Sequence, residues 1–391
     1  FICPAFCCLL PFNSAYNNEF TYDQLANNIL EHGCYCFIAG KPTVWRPPLY
    51  PAILALIYLI FGHNYLAVLL VQAVAGSLST FLLVLIGIQI SGSAWIGLIT
   101  GLIFGLNPTL VFTTGLLYSE TFYLLMLMLI VYLWLKLMTS PPNWVIIALG
   151  SGTLLGLANL MRPNLTLLPV WLIVWGLLVF KDRVQAVVSI TLITLAMVAV
   201  MLPWGIRSFF VTGDFVIVSA NSGLMLWQGN NSQVSGSGLD YKLVEPLPGL
   251  SEIEVDATYW QWGIEWIYTH PMGFVKLIPL KLYRFLSPLE TSNQGQLVVQ
   301  FAPLLLFVYS LYYLLGIIGL VKTTRQWQRW LIIYLLIFYP MLLAVVFYGG
   351  TRYGLVVQPF VSLLAAIALL PWLDRILVMK SKLHSIIKFF Y

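Results

Sequence analysis

Long apolar runs follow one another along most of this chain and leave it few ways to fold. Candidate spans lie at about residues 65–90, 94–116, 118–138, 143–160, 164–180, 184–206, 301–321, 330–348 and 354–373, each close to the roughly 20 residues a helix needs to cross a bilayer core. In hydrocarbon, backbone amides must be satisfied within the segment, so such runs fold as helices. The run Phe1–Phe12 is too short to span and reads as the tail of a truncated first helix. It lacks the basic n-region and small-residue cleavage site of a signal peptide. The expectation is an all-α polytopic membrane protein of about ten transmembrane helices. Only 8% of the 391 residues are charged, against roughly 25% in a soluble domain. The net charge of +5 therefore reflects membrane topology, and nucleic acid is not expected as a partner.

Short loops rich in Lys and Arg mark the inner side of a membrane. Lys136, the Lys181 and Arg183 pair, the cluster Lys322, Arg325 and Arg329, and the tail with Arg375, Lys380, Lys382 and Lys388 all fall inside together if every candidate run spans. The acids then sort themselves, for of the 14 Asp and Glu residues only Asp182 and Asp374 remain inside. Leu49–Phe61 is apolar but about 13 residues long; counting it as a span would invert every later loop, so it is expected to lie along the outer interface. Three regions follow. Residues 1–206 form an N-terminal transmembrane core with a first external loop at 13–64. Residues 207–300 form a small extracytoplasmic cap with a helix over Glu252–Thr269, followed after His270-Pro271 by an interfacial segment whose Lys276, Lys281 and Arg284 snorkel to the headgroups. Residues 301–391 supply the last helices and a basic cytoplasmic tail.

Some patterns are structural. Gly97, Gly101 and Gly105 recur every four residues and read as a helix-packing seam. Gly150-Ser151-Gly152 with Gly156 lies in an apolar span without a preceding strand, which excludes a dinucleotide loop. Cys3, Cys7, Cys8, Cys34 and Cys36 crowd the first tenth of the chain; Cys34 and Cys36, one residue apart, are too close for an unstrained bridge and read as packed thiols. The four dispersed histidines offer no metal cage.

Ionisable groups at span ends are costly and usually functional. Glu19, Tyr22, Asp23 and Ala26 follow helical spacing just after the first membrane exit, where a shielded carboxylate can act as a general base, or where an acid merely opens a solvated helix. Glu120 opens a span and is the only acid between Glu31 and Asp182; it either caps that helix with Ser119 or faces a cavity. Arg46, Arg162, Arg207 and Arg352 stand at the outer ends of spans, where guanidinium forks suit phosphate oxygens or membrane headgroups.

In their order these residues resemble the lipid-linked-sugar glycosyltransferases of the GT-C fold, in particular bacterial relatives of protein O-mannosyltransferases and aminoarabinose transferases. The run Asn18-Glu19-x-x-Tyr22-x-x-x-Ala26, then Gly33 and Arg46-Pro47-Pro48-Leu49-Tyr50-Pro51, is similar to the family's acidic pair, tyrosine, alanine and basic Pro-Pro-Leu-Tyr-Pro stretch. Further similar marks are Pro108, Ser119-Glu120, Arg162-Pro163, Pro203-Trp204 with Arg207, Gly223 with Gly229-Asn230-Asn231, His270-Pro271, and Arg352-Tyr353 with Pro359. One departure stands out: Asn18 occupies the first acidic position of the family's pair.

The resemblance implies a GT-C-like bundle that transfers a sugar, with inversion, from a polyprenyl-phosphate donor to a protein, lipid or glycan acceptor. The site would lie on the extracytoplasmic face of a bacterial cytoplasmic membrane, among membrane lipids. It implies Glu19 and Glu120, with Asp23 in reserve, as catalytic acids, and Arg46, Arg162, Arg207 and Arg352 on the donor phosphate. Tyr22 and Tyr353 would position substrate. Some members of such families use a divalent cation, and the resemblance points to Glu19 and Glu120 as the acids that would bind it. Two rival readings remain: a lipid or sugar transporter, which would place charge near the midplane, and a catalytically inactive membrane assembly factor, which Asn18 keeps open.

Overall fold

A computed structural model describes residues 18–139, 141–233, 247, 249–288 and 296–371, with backbone alone for 18, 19 and 296–301. The described residues are mostly helical. Helix α1 (Asn18–His32) leads through a small antiparallel hairpin, β1 (Cys36–Ile38) and β2 (Lys41–Pro42), into α2 (Leu49–Phe61). There follow α3 (Tyr65–Ser91), α4 (Ala94–Gly105), α5 (Pro108–Thr114), α6 (Glu120–Leu137), α7 (Trp144–Met161), α8 (Leu168–Val179) and α9 (Arg183–Thr212). Next come α10 (Ser222–Gly229), α11 (Glu252–Thr269) and α12 (Pro271–Leu286), before α13 (Gln296–Thr323), α14 (Trp327–Val346) and α15 (Thr351–Pro371).

Six helical stretches among the described residues are long and apolar enough to cross a membrane: α3, α6, α7, α9, Ala302–Val346 and α15. A 3-10 turn at Thr324–Gln326 divides Ala302–Val346 into the end of α13 and α14. The bent pair α4 and α5 makes a seventh if taken as one span. The expected first helix, Phe1–Phe12, lies outside the described residues. The expected continuous spans at 94–116 and 164–180 are corrected. In the first, Asn107 caps α5 by accepting from the Thr109 and Leu110 amides, Pro108 cannot continue α4, and the two helices meet at 58°. In the second, Pro163 and Pro169 leave a 3-10 turn and a helix of only 12 residues.

The expected helix over Glu252–Thr269 appears with those bounds, opened by a capping box in which Ser251 and Glu254 satisfy each other's backbone amides. Asp256 then accepts from the Gly223 amide at 2.6 Å and from the Leu224 amide at 3.4 Å, fixing the start of α10. The glycine seam is real: a Cβ on Gly97 would sit 2.6 Å from the Val84 carbonyl oxygen, so α3 and α4 approach as closely as their backbones permit. Gly152 and Gly156 do the same for α7 against Ile193 and Met197 of α9. Cys34 and Cys36 are free thiols; Cys3, Cys7 and Cys8 lie outside the described residues.

Of the three cations expected to snorkel after Pro271, Lys276 is exposed, whereas the other two are buried. Lys281 is 1% exposed, its Nζ donating to Asn230 Oδ1 and to the Val345 carbonyl, both at 2.8 Å. Arg284 is also buried. The cause is the glycine-rich turn after α14: a Cβ on Gly349 would strike the Lys281 carbonyl and one on Gly354 the Phe285 carbonyl, so this turn lies flat on α12 and covers its cations.

Candidate active site

Three span ends meet at one end of the bundle. Arg162 precedes Pro163, whose ring disfavours a helical residue before it; Arg162 accordingly leaves α7 with φ −151° and ψ 118°, turning its side chain back across the bundle. Glu120 is the first residue of α6, where the helix dipole favours a carboxylate. Arg352 lies in the first turn of α15, just past Gly349-Gly350. Lys136, Arg183 and Lys322, by contrast, stand at the opposite ends of α6, α9 and α13.

Glu120 is 2% exposed and grips both arginines. Arg352 donates from Nε to Oε1 at 2.6 Å and from Nη2 to Oε2 at 3.1 Å, and Arg162 Nη1 lies 2.5 Å from Oε1. The side chain of Ser119 makes no helix-capping bond, and its hydroxyl reaches only Glu120 Oε2 at 3.5 Å; the capping reading of Ser119 and Glu120 is thereby set aside. Both cations are also stacked, Arg352 with its Cζ 3.6 Å from the Tyr118 ring centroid and Arg162 at 5.0 Å from that of Tyr353. Tyr22 is near enough to interact electrostatically with both, and its ring carries Arg46 at 5.6 Å. Arg46 Nε is buried without a hydrogen-bond partner among the described residues.

The charges decide what this centre can do. Among the described side chains, one carboxylate against Arg162 and Arg352 leaves one positive charge in a region screened from water, and Arg46 adds another nearby. Uncompensated cations in such a place favour an anion that presents several oxygens. Glu120 is a poor candidate for taking a proton, since both its oxygens are engaged by guanidinium groups, but it holds the two forks at fixed angles.

The other expected site residues lie elsewhere or beyond description. Asp23 points to a separate cluster, accepting from Tyr58 Oη at 2.7 Å, His63 Nε2 at 2.9 Å, Tyr65 Oη at 3.1 Å and Asn27 Nδ2 at 3.4 Å. Arg207 donates to the backbone carbonyls of Thr43 at 2.7 Å and Tyr35 at 3.2 Å and stacks on Trp204. In this structure it clamps the first loop. Glu19 stands three residues before Tyr22 in α1, with its side chain outside the description. No group of three His, Cys, Asp or Glu side chains among the described residues could hold a metal ion, and two guanidinium groups at Glu120 oppose a divalent cation there. The residues described do not fit a metal centre.

Two contributors escaped the sequence reading. Tyr118 was visible only as the neighbour of Glu120. Gln72, wholly buried in α3, was signalled by an amide in an otherwise apolar run.

Residues 45–205 match the family model described as dolichyl-phosphate-mannose-protein mannosyltransferase. No curated protein sequence matches the chain. The fold is similar to that of the oligosaccharyltransferase of Archaeoglobus fulgidus in its apo form, with TM-score 0.57 and 11% identity over 97% of this chain and 50% of that one. It is also similar to the same organism's AglB oligosaccharyltransferase in complex with an inhibitory peptide and a dolichol-phosphate, with TM-score 0.53 and 12% identity over 96% of this chain and 50% of that one. The chain thus spans about half the length of these proteins. A weaker likeness, TM-score 0.40, is to ArnT from Cupriavidus metallidurans, at 14% identity over 93% of this chain and 74% of that one. The chain is a polytopic helical membrane protein with the GT-C fold, and it resembles the lipid-linked-sugar glycosyltransferases built on that fold.

Proposed function

We propose that the protein transfers a sugar from a polyprenyl-phosphate-linked donor to an acceptor hydroxyl, with inversion, at the outer face of a bacterial cytoplasmic membrane. The observation that carries this reading is the buried Arg162–Glu120–Arg352 triad with its surplus positive charge at one end of the bundle. In this reading the donor phosphate binds against Arg352, Arg162 and Arg46. The acceptor oxygen attacks the anomeric carbon from the side opposite the phosphate, the bond from that carbon to the phosphate oxygen breaks, and the acceptor proton passes to a carboxylate. The arginines stabilise the charge growing on the departing polyprenyl phosphate. Glu19 is the proposed proton acceptor, with Asn18 beside it in place of an acid. Glu120 orients the arginines, and Tyr22 and Tyr353 shape the sugar site between them. The similarly folded A. fulgidus enzyme captured with a dolichol-phosphate supports a donor of this class.

The test incubates the purified protein in lipid with radiolabelled polyprenyl-phosphate sugars and compares it with Glu19→Gln, Glu120→Gln and Arg352→Ala. Transfer or donor hydrolysis is expected in the wild type and to fall in all three variants. Turnover indifferent to all three substitutions would reject the assignment.

A further inference from the structure

Gln72 lies in the middle of apolar neighbours in α3 and is 0% exposed. Burying an amide away from water is costly unless its hydrogen bonds are made, and here they are made to two different parts of the molecule. Nε2 donates to the carbonyls of Thr114 and Leu116, both at 2.8 Å. Oε1 accepts from Tyr50 Oη at 2.9 Å. The two carbonyls belong to the end of α5 and the turn that follows it toward α6, and Leu116 O also accepts from the Tyr118 amide at 2.8 Å. That turn ends in Tyr118, on which Arg352 stacks, and Glu120, which Arg352 grips in a fork. On the other side, the Tyr50 ring packs edge-on against Tyr22 at 5.0 Å, and Tyr22 carries Arg46.

We infer that Gln72 is a positioning residue for the candidate site: one side-chain amide sets the Thr114–Glu120 turn, and through it Arg352, against the Tyr50–Tyr22–Arg46 wall. This rests on the proposed glycosyl transfer for its catalytic consequence, but not for its geometry. Gln72 touches no reacting atom. It fixes the separation of the guanidinium groups that would hold one phosphate, and a displacement of about 1 Å at such a group can cost about 100-fold in rate.

Gln72→Met keeps the volume and removes all three bonds, and Tyr50→Phe removes the single bond to Oε1. The whole protein in lipid nanodiscs is read in two ways. Hydrogen exchange of the amides in 115–119 is expected to quicken about tenfold in Gln72→Met, with α6 and α7 unchanged. Turnover of a radiolabelled polyprenyl-phosphate sugar is expected to fall about 10- to 100-fold in kcat with KM near that of the wild type. Tyr50→Phe should give a smaller fall, and the double variant less than the product of the two. Unchanged exchange in the turn, unchanged kcat, or exchange quickened evenly through α3, α6 and α7 would each overturn the inference. A wild type that turns over no lipid-linked sugar would sink the proposed function instead, while the exchange measurement would still decide what Gln72 holds.

Discussion

Replacing Glu120 by glutamine tests the triad directly. The substitution keeps the shape of the side chain and removes the only carboxylate paired with Arg162 and Arg352 among the described residues. An amide has one acceptor oxygen for the three donors that now approach at 2.5, 2.6 and 3.1 Å, and its NH2 must face a guanidinium. Removing one partner from a buried ion pair costs about 3–5 kcal/mol, and two uncompensated guanidinium groups belong at the upper end of that range. The assay is thermal unfolding of the purified protein in detergent at neutral pH. The variant should melt several degrees below the wild type, and inorganic phosphate should recover part of the loss, since an anion bound at ten times its Kd returns about 1.4 kcal/mol. The wild type, with Glu120 in place, should gain much less from phosphate. A variant that melts with the wild type, or that ignores phosphate at all concentrations, would refute the view of Glu120 as the counter-ion of a phosphate-binding arginine pair.

Burial lowers the Lys281 pKa to about 7 from its ordinary value near 10.5, so above pH 7 the unfolded chain holds a proton that the folded one has shed. Stability through this group therefore rises with pH between about 7 and 10.5, and the wild type should gain in melting temperature on Lys281→Met across that window; a pH-independent difference would contradict it. Arg207→Gln should cost about 1–3 kcal/mol of stability, read by the same melts, while leaving the KM for a lipid-linked donor unchanged, since its guanidinium is spent on the Thr43 and Tyr35 carbonyls. Gly97→Val should destabilise by at least about 1–3 kcal/mol, because its Cβ meets the Val84 carbonyl oxygen at 2.6 Å.

Much of the architecture could be read from hydropathy and loop charge, because bilayer thickness and backbone hydrogen bonding restrict what apolar runs can do. The bounds of α2 and α11 were legible, the first as the short apolar run Leu49–Phe61 and the second as a helix over Glu252–Thr269 before His270-Pro271. Pro108 was equally visible, yet nothing in its neighbours said that Asn107 would cap a new helix at 58° instead of letting one bent span continue. The four arginines looked alike in sequence. What separates Arg207 from Arg162 and Arg352 is a tertiary fact, the passage of the 35–43 loop beside α9, and no local pattern encodes it. Lys281 misled for a related reason: a cation in an amphipathic segment ordinarily reaches water, and only the close approach of Gly349 shuts that route.

The bond between Arg352 and Glu120 joins residues 232 positions apart, one from the opening of an early span and the other from the start of the last one described. During synthesis, the acidic member enters the lipid long before its second cation has left the ribosome. A partial product therefore lacks the Arg162–Glu120–Arg352 triad, which closes only when α15 packs beside helices inserted long before it.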